Sequence, residues 1–311
     1  MKKNLLLLLF LSFVIGASAQ QMLTYEYALK DTQHLLMDVY VPKEQNPEHS
    51  CMIFVFGGGY IEGARNDKQI VPLQKYYTEK GWVVISIDYR LGLKGFSNYS
   101  VISGIKKFDN AISMAAEDLV SATDYILKNL LNTPQFSIDP KHIVTIGSSA
   151  GAITVLQADY FLGNRTHGTE LLPDTFRYAG VMPFAGGIFS HKGKIKYTKQ
   201  APAPTLFCHG IEDRLVPYNK ITFCNLGIHG SSDIVKQFKK NGYPYHIRRY
   251  VDLGHEVAIA YMFQFDVIDK FLEEMVFGGQ KLQIDETYYN PAAPKHPFGR
   301  SRIRDLKKVG K

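Results

Sequence analysis

The chain is poor in cysteine, and this shortage excludes several kinds of site. Only three cysteines occur among 311 residues, too few for a disulfide framework, and an odd number leaves at least one without a partner in the chain. Cys51 and Cys208 fall in apolar runs, where free cysteine behaves as a small buried hydrophobe. A Cys208–Cys224 bridge is an open alternative. There is no Cys-x-x-Cys pair and no histidine cluster of the zinc-binding kind, so we predict neither a metal nor a cofactor.

No apolar run is long enough to cross a membrane as a helix. The run from Leu5 to Ile15 has eleven residues, whereas a transmembrane helix needs about 20. It follows the positive start Met1-Lys2-Lys3 and precedes the small-residue sequence Ala17-Ser18-Ala19, with no cysteine after it for a lipid anchor. This pattern predicts a secretory signal peptide over residues 1–19. We therefore expect an exported protein, periplasmic or extracellular, with no transmembrane segment in its mature chain.

The net charge of +7 is concentrated at the two ends of the chain. Lys2 and Lys3 lie in the predicted signal peptide. Seven cations stand against the single Asp305 near the C-terminus: Lys295, Arg300, Arg302, Arg304, Lys307, Lys308 and Lys311. The body between the ends is close to neutral, which excludes a basic nucleic-acid-binding domain.

The last residues are expected to form a tail. Apolar periodicity stops at Gly278, and three prolines prevent a helix beyond it: Pro291, Pro294 and Pro297. We expect residues 20–278 to form the catalytic domain and residues 279–311 a basic, proline-containing tail that lies loosely on it or is mobile.

Strands and helices alternate through the body of the chain. Strands are predicted at 35–41, 51–56, 83–88, 180–184, 205–209 and 246–251, with another beginning at Ile143. Helices are predicted at 70–80, 115–131, 152–159, 233–241 and 257–274. This order is typical of an α/β fold with a mostly parallel sheet flanked by helices.

The chain is organised around Gly147-Ser148-Ser149-Ala150-Gly151, a G-x-S-x-G sequence between a predicted strand and a predicted helix. A sharp strand-to-helix turn holds the central serine in a strained conformation and exposes its oxygen. The flanking positions must be almost free of side chain, or strand and helix would collide. An ordinary Gly/Ser turn is the alternative, and the order strand, turn, helix argues against it.

Two later loops supply partners for a nucleophilic serine. A serine hydroxyl needs a base to take its proton, and a histidine base is usually oriented by a carboxylate. Asp213 follows the strand at 205–209, and adjacent Glu212 is the alternative acid. His255 follows the last strand and is the candidate base, whereas His209, at a strand end, could hydrogen-bond within its own loop. The order Ser149, Asp213, His255 predicts a catalytic triad.

Acyl transfer also needs donors for a developing oxyanion. Phe56-Gly57-Gly58-Gly59-Tyr60 follows a strand, and its glycines let backbone N–H groups point into a site. We predict Gly58, Gly59 and Ala150 as the oxyanion-hole donors. A phosphate-binding P-loop is excluded, because no Gly-Lys-Ser/Thr ending is present.

With these motifs together, the chain resembles the α/β-hydrolase superfamily over roughly residues 35–276. It is most similar to carboxylesterases with an HGGG-type oxyanion loop, which include hormone-sensitive-lipase-like and bifunctional acetylxylan/feruloyl esterases. The resemblance implies a serine esterase acting through an acyl-enzyme. One position departs from the family: Phe56 stands where a bracing histidine is usual, which predicts a less firmly held loop.

The segment 185–203 is too short for a large helical lid, which predicts an open site and esters on bulky carriers. Phe96, Tyr99 and Phe108, in a loop expected over 92–113, could stack on a sugar or aromatic acyl group or pack over the sheet edge. The expected substrate is a small-molecule or carbohydrate ester. Two alternatives are a prolyl-oligopeptidase-like serine peptidase and a non-catalytic binding protein on a hydrolase scaffold.

Overall fold

The computed structural model describes residues 21–95, 101–223 and 225–289. The predicted signal peptide, Phe96, Tyr99, Cys224 and the basic end of the chain from residue 290 lie outside these ranges. None of the helices in the described ranges is long and apolar enough to span a membrane.

A nine-stranded sheet forms the centre of the molecule, and three shorter strands form a second sheet. In chain order the strands are β1 (Gln21–Lys30), β2 (Gln33–Val41), β3 (Cys51–Val55), β4 (Val83–Ile87), β5 (Ile143–Ser148), β6 (Gly180–Phe184), β7 (Gly187–Ser190), β8 (Thr205–Gly210), β9 (Lys220–Phe223), β10 (Leu226–Gly230), β11 (Tyr245–Tyr250) and β12 (Gln283–Tyr288). The central order is β1-β2-β4-β3-β5-β6-β8-β11-β12, and the small sheet is β7-β10-β9.

Only the first strands of the central sheet run antiparallel. β2 is antiparallel to β1 and β4, and every pair from β4 to β12 is parallel. β3, β4, β5 and β6 are buried along their whole length, as expected when helices cover both faces of a parallel sheet. The loops that follow these strands meet at the carboxyl edge, where sites of α/β folds lie. The predicted α/β class with a mostly parallel sheet is confirmed.

Helices connect the strands. They are α1 (Val71–Glu79), α2 (Val101–Asn129), α3 (Ala150–Asn164), α4 (Ser231–Asn241) and α5 (Phe265–Phe271). Short 3₁₀ segments occur at Lys68–Ile70, Pro140–His142, Thr169–Leu171 and His255–Met262, and a π-helical turn at Leu272–Phe277. α3 is buried almost throughout, because it packs behind the sheet directly after β5.

Two predicted elements differ from the structure. The loop expected over 92–113 is helical from Val101, where α2 begins. The helix expected over 257–274 is interrupted at Phe263 and Gln264. Gln264 is fully buried there, and its Oε1 accepts hydrogen bonds from Arg248 Nη1 at 3.0 Å and from the Tyr250 hydroxyl at 2.8 Å. Helical periodicity does not predict this interruption, because its cause is a hydrogen bond to the buried Arg248 on β11.

The boundary predicted at residue 278 is wrong for the described part of the tail, because 283–288 form β12 at the edge of the central sheet. Ion pairs and a histidine–carboxylate hydrogen bond join this strand to β11. Arg248 Nε lies 3.0 Å from Glu286 Oε2, His246 Nε2 lies 2.9 Å from the same oxygen, and Arg249 pairs with Asp285. β12 alternates exposed and half-buried residues with no buried position, so its sequence lacks the apolar pattern of a strand.

Cys51 and Cys208 are buried free thiols in β3 and β8. The Cys208–Cys224 bridge considered from the sequence involves Cys224, which lies outside the described residues. Burial raises the pKa of the Cys208 thiol to about 12, which keeps it protonated and unreactive near neutral pH.

Candidate active site

Ser149 lies at the turn between β5 and α3, with backbone angles of φ 53° and ψ −115°. A residue other than glycine in this region costs about 1–3 kcal/mol, which the surrounding structure must offset. The Ser149 N–H donates to the Phe184 carbonyl at 3.0 Å, so β6 holds the turn. The strained strand-to-helix turn predicted from the G-x-S-x-G sequence is present.

The two glycines of this motif are required by close approach of backbone atoms. A Cβ at Gly147 would lie 2.2 Å from the Gly151 carbonyl oxygen. A Cβ at Gly151 would lie 2.0 Å from the Val55 carbonyl oxygen. Both distances are far inside van der Waals contact, so any side chain would push α3 away from β3 and β5. The sequence spacing therefore reflects the packing of the helix start onto the sheet.

A continuous line of hydrogen bonds joins the three predicted triad residues. Ser149 Oγ lies 2.8 Å from His255 Nε2, and His255 Nδ1 lies 2.8 Å from Asp213 Oδ2. The serine comes from the β5–α3 turn, the carboxylate from the loop after β8, and the histidine from the first residue of the 3₁₀ segment at 255–262. Residues separated by more than 40 positions in sequence are thus within hydrogen-bond distance of one another.

Backbone hydrogen bonds fix the acid loop against the base loop. The Ile211 N–H donates to the Tyr250 carbonyl at 3.1 Å, and the Glu212 N–H donates to the Leu253 carbonyl at 3.0 Å. A Cβ at Gly210 would lie 2.3 Å from the Gly254 carbonyl oxygen, so the loops are in contact. Their relative position is set by backbone contacts, which suits a site that must hold its geometry.

Asp213 is buried and accepts hydrogen bonds on both carboxylate oxygens. Oδ1 accepts from the N–H groups of Leu215 at 2.9 Å and Val216 at 3.0 Å, and Oδ2 faces His255. Burial alone would raise the pKa of the Asp213 carboxyl, but hydrogen bonds from His209 and His255 reverse that effect and hold the pKa well below its ordinary value. The group is therefore a carboxylate throughout the neutral range, as an orienting partner of a histidine must be.

The alternative acid, Glu212, is exposed. Its neighbour Asp213 is the carboxylate whose oxygen lies on His255 Nδ1. The geometry therefore favours Asp213 over Glu212, as the sequence order did.

The glycine-rich loop lies beside Ser149. Gly58 and Gly59 have φ values of 116° and 64°, in a region that glycine enters without strain. The Gly58 carbonyl accepts hydrogen bonds from the N–H groups of Ile61 at 3.0 Å and Glu62 at 3.2 Å, so the chain forms a turn here. Among the hydrogen bonds of the described residues, none uses the N–H of Gly58, Gly59 or Ala150. The three predicted donors thus border the same cavity as Ser149 with unused N–H groups.

Phe56, which replaces the usual histidine, is held by aromatic packing. Its ring stacks on Tyr89 with centroids 4.4 Å apart, and the Tyr89 hydroxyl donates to the Phe56 carbonyl at 3.0 Å. The Tyr60 hydroxyl donates to the Ala150 carbonyl at 2.9 Å, which ties the far end of the loop to α3. Both ends of the loop are thus held by contacts that need no histidine at position 56.

A cavity of about 720 Å³ opens onto Ser149. Aromatic and aliphatic side chains form much of its wall, among them Phe56, Phe108, Ile153, Leu215 and Val216. The Phe108 ring meets Tyr60 and Phe189 edge to face, with centroids 6.0 and 6.2 Å apart. Of the three aromatic residues considered for substrate contact, Phe108 lies in the described ranges, and it both packs on its neighbours and lines the cavity.

The segment between β6 and β8 adds only the short strand β7, which pairs with β10 in the small sheet. No helical lid covers the cavity within the described residues. In those residues there is also no group of three or more His, Cys, Asp or Glu side chains placed to bind a metal ion.

Several residues that support the site were not identified from the sequence. Tyr60 and Tyr89 anchor the glycine loop, and His209 contacts the Asp213 carboxylate at 3.3 Å. The position of Tyr60 directly after three glycines was the one available signal. The contact of Tyr89 joins the loops of two neighbouring strands, and no sequence spacing predicts it. His209 does hydrogen-bond within its own loop, as the alternative considered from the sequence allowed, but the sequence did not identify Asp213 as its partner.

Comparison with known proteins finds esterases. The family model BD-FAE, for bifunctional acetylxylan/feruloyl esterase-like proteins, matches residues 37–166. Gut esterase 1 of Caenorhabditis briggsae is 30% identical over 123 residues, which cover 40% of this chain and 20% of that protein. Fumonisin B1 esterase of Sphingopyxis macrogoltabida is 30% identical over 126 residues, covering 38% of this chain and 21% of that protein. The chain therefore spans about a fifth of the length of these curated relatives.

Solved structures match over most of the chain. A thermophilic esterase of Thermogutta terrifontis, with butyrate bound, superposes with a TM-score of 0.58 at 19% identity, covering 84% of this chain and 95% of that one. The same esterase phosphonylated by sarin superposes with a TM-score of 0.57. At this identity the likeness establishes the fold. The chain is an α/β-hydrolase-fold protein, and the resemblance to carboxylesterases inferred from its motifs is confirmed by the family model and the esterase relatives.

Proposed function

We propose that this protein is an exported serine carboxylic-ester hydrolase that acts through an acyl-enzyme. The observation that carries the proposal is the line of two 2.8 Å hydrogen bonds from Asp213 through His255 to Ser149. Esterases recur among the relatives and among the structural neighbours, which supports this reaction class for the site.

In the first half of the reaction, Ser149 Oγ attacks the ester carbonyl carbon while His255 Nε2 takes the hydroxyl proton. Asp213 holds the Nδ1–H of His255 and stabilises the imidazolium that forms. The carbonyl oxygen becomes an oxyanion and accepts hydrogen bonds from the N–H groups of Gly58, Gly59 and Ala150. When the C–O bond to the alcohol breaks, His255 gives its proton to the leaving oxygen, and the acyl group remains on Ser149.

In the second half, water replaces the alcohol. His255 takes one proton from water as the oxygen attacks the acyl carbon, and the same backbone donors stabilise the second oxyanion. Collapse breaks the bond to Ser149 Oγ, to which His255 returns the proton. The carboxylic acid leaves, and the protein is regenerated without a net change in its protonation. No metal or redox cofactor takes part in this sequence.

For the substrate we propose an ester of a bulky carbohydrate or phenolic carrier. In the described part of the chain no helical lid covers the cavity, and this supports the choice, because a large alcohol can remain partly in solvent while its acyl group reaches Ser149. Aromatic walls such as Phe56 and Phe108 suit a flat ring. The match to the BD-FAE family model points in the same direction. The N-terminal pattern of residues 1–19 supports an extracytoplasmic location, periplasmic or extracellular.

Labelling and turnover together test this proposal. A fluorophosphonate probe should label the purified parent protein and fail to label Ser149→Ala. A panel of acetyl and feruloyl esters on sugar and small alcohols, run beside aminoacyl amides, should show turnover of esters and little of amides. Absence of labelling and of ester turnover in the folded parent would favour the non-catalytic scaffold. Amide turnover above ester turnover would favour the peptidase alternative.

A further inference from the structure

His209 is buried at the end of β8, four residues before Asp213. Its Nε2 lies 3.3 Å from Asp213 Oδ2 and 3.1 Å from the Val216 carbonyl oxygen, and its Nδ1 lies 2.8 Å from Ser231 Oγ. The side chains of His209 and Asp213 are both fully buried. The imidazole therefore contacts the carboxylate where solvent reaches neither side chain.

The partners of this ring determine its tautomer. A carbonyl and a carboxylate oxygen can only accept, so Nε2 must carry a hydrogen that the Val216 carbonyl and Asp213 Oδ2 share. Nδ1 is then free to accept a hydrogen bond from the Ser231 hydroxyl. The ring satisfies both of its nitrogens in the neutral form, which suits its complete burial.

Asp213 Oδ2 thus faces two histidine N–H groups, one from His255 and one from His209. Oδ1 accepts two backbone N–H groups from the same loop. Val216 closes a ring of contacts, because its N–H donates to Asp213 Oδ1 and its carbonyl accepts from His209. His209 is thus a second side-chain donor on the carboxylate oxygen that faces His255.

We propose that His209 is a positioning residue of the esterase reaction, which orients the Asp213 carboxylate and thereby His255. This inference rests on the proposed function, since it assigns a role through His255 to the attack by Ser149. A carboxylate held by one N–H fewer can rotate about its terminal torsion, which has a broad energy profile. His255 would then spend less time aligned with Ser149 Oγ, so the turnover number should fall while substrate binding is retained.

The chain provides a matched control in His229. It is also fully buried, and its Nδ1 lies 2.7 Å from Asp233 Oδ2, again four residues further along the chain. No hydrogen bond or ion pair among the described residues joins His229 to Asp213 or His255. Substitution of either histidine removes a buried imidazole that contacts a carboxylate. Of the two, only His209 contacts the carboxylate of the proposed triad.

The test compares His209→Leu, His209→Gln, His229→Leu and His229→Gln on one small ester. His209→Leu should lower kcat by about 10- to 100-fold, the rate equivalent of one hydrogen bond to a charged group, with KM nearly unchanged. His209→Gln places an amide N–H near the position of Nε2 and should recover most of that loss. Both His229 variants should keep the parent kcat even where their melting temperature falls. If His209→Leu does not fold, Ser231→Ala takes its place against the His229 pair: it removes the hydroxyl that holds His209 Nδ1, and it should lower kcat while the His229 variants keep the parent value.

A second readout does not depend on turnover. The proton between His255 Nδ1 and Asp213 Oδ2 should give a low-field NMR resonance in the resting protein, and this resonance should move in the His209 variants and stay in place in the His229 variants. Equal kcat losses at positions 209 and 229, or a resonance unmoved by either substitution, would overturn the role of His209. Absence of ester turnover in the parent would contradict the proposed function, and the resonance would still decide the role of His209.

Discussion

The Tyr89 hydroxyl donates to the Phe56 carbonyl at 3.0 Å while the two rings stack 4.4 Å apart. Position 56 is the one where the resemblance to HGGG-type esterases implies a bracing histidine. The contact is made by the phenylalanine main chain and by ring packing, and neither requires a polar side chain at position 56. At position 56 the loop is therefore held by a main-chain hydrogen bond and aromatic stacking.

Phe56→His should therefore fail to raise the rate of ester hydrolysis. The imidazole would lose its hydrogen bonds to water on entering a buried aromatic environment, at a cost of roughly 1–3 kcal/mol. Its stacking on Tyr89 would also be weaker than that of the phenylalanine ring. We expect kcat at or below the parent value and a lower melting temperature. A clear gain in kcat would mean that the aromatic stack holds the loop poorly.

Tyr89→Phe removes only the hydroxyl group that fixes the Phe56 carbonyl. We expect kcat to fall, but by less than the roughly 10²–10³-fold decrease that removal of one oxyanion-hole donor causes. Tyr178→Phe is the matched control, because Tyr178 is also fully buried and its hydroxyl lies 2.8 Å from Thr123 Oγ1. Steady-state kinetics of both variants should distinguish a general loss of stability from a change in the position of the glycine loop. An equal fall in kcat in both variants would argue against a specific effect on the loop.

Asp213→Asn should lower kcat by as much as about 10⁴-fold, since the amide favours the wrong tautomer of His255. Glu212→Gln should change kcat little, because Glu212 is exposed. Both substitutions remove one negative charge from adjacent positions, so each controls for the other. Kinetics on a chromogenic ester will distinguish them, and a larger loss at position 212 would reverse the assignment of the acid.

Removal of β12 should destabilise the fold. A chain ending at Gly278 loses this strand, the ion pair of Arg248 with Glu286 and the hydrogen bond of His246 with the same carboxylate, whereas a chain ending at Asn290 keeps them. Hydrogen bonds to charged groups contribute roughly 1.5–3 kcal/mol each, and less where water screens them. Thermal unfolding should therefore show a drop of several degrees for the shorter chain relative to the longer one, and equal melting temperatures would mean that β12 contributes little.

Asp159 makes the stability depend on pH. Burial raises the pKa of this carboxyl to about 6, an effect that the N–H of Ala203 and the charge of Arg177 only partly offset. Because its folded-state pKa is raised, the folded state favours the protonated form, and stability is lost as pH rises from about 4 through 6.

Asp159→Asn removes this cost and keeps an oxygen that can accept from Ala203. The free energy of unfolding of the variant should exceed that of the parent at pH 8, by up to about 3 kcal/mol, and the difference should shrink at pH 4. Asp174→Asn, at a carboxylate whose side chain is 91% exposed, is the control. Denaturant unfolding at both pH values gives the measurement. A difference that does not change with pH would show that Asp159 ionises without cost.

The features that were predicted from the sequence are those set by local geometry. Gly147 and Gly151 mark a turn in which a Cβ would meet backbone, and the strands β3, β4 and β5 are mostly apolar and buried along their length. The order of Ser149, Asp213 and His255 follows from the position of each after a strand. In a parallel sheet that position alone places all three side chains at one edge.

The remaining features depend on contacts between distant segments. β12 has no apolar face and joins the sheet through ion pairs with β11, which its own six residues do not reveal. The bracing of Phe56 depends on Tyr89, on the neighbouring strand's loop. The interruption of the last helix depends on Gln264 reaching Arg248. In each case the information lies in a partner residue far along the chain.

Covalent attachment of the acyl group to Ser149 is the central claim, and rapid acid quenching of a reaction with p-nitrophenyl acetate followed by peptide mass spectrometry tests it most directly. The account predicts an acetyl group on the peptide that carries Ser149 during turnover, a burst of nitrophenol equal to the amount of active protein where deacylation is the slower step, and no acetylated peptide or turnover above buffer in Ser149→Ala. Undiminished hydrolysis by Ser149→Ala, or turnover by the parent with an acetyl group on a different residue, would contradict it.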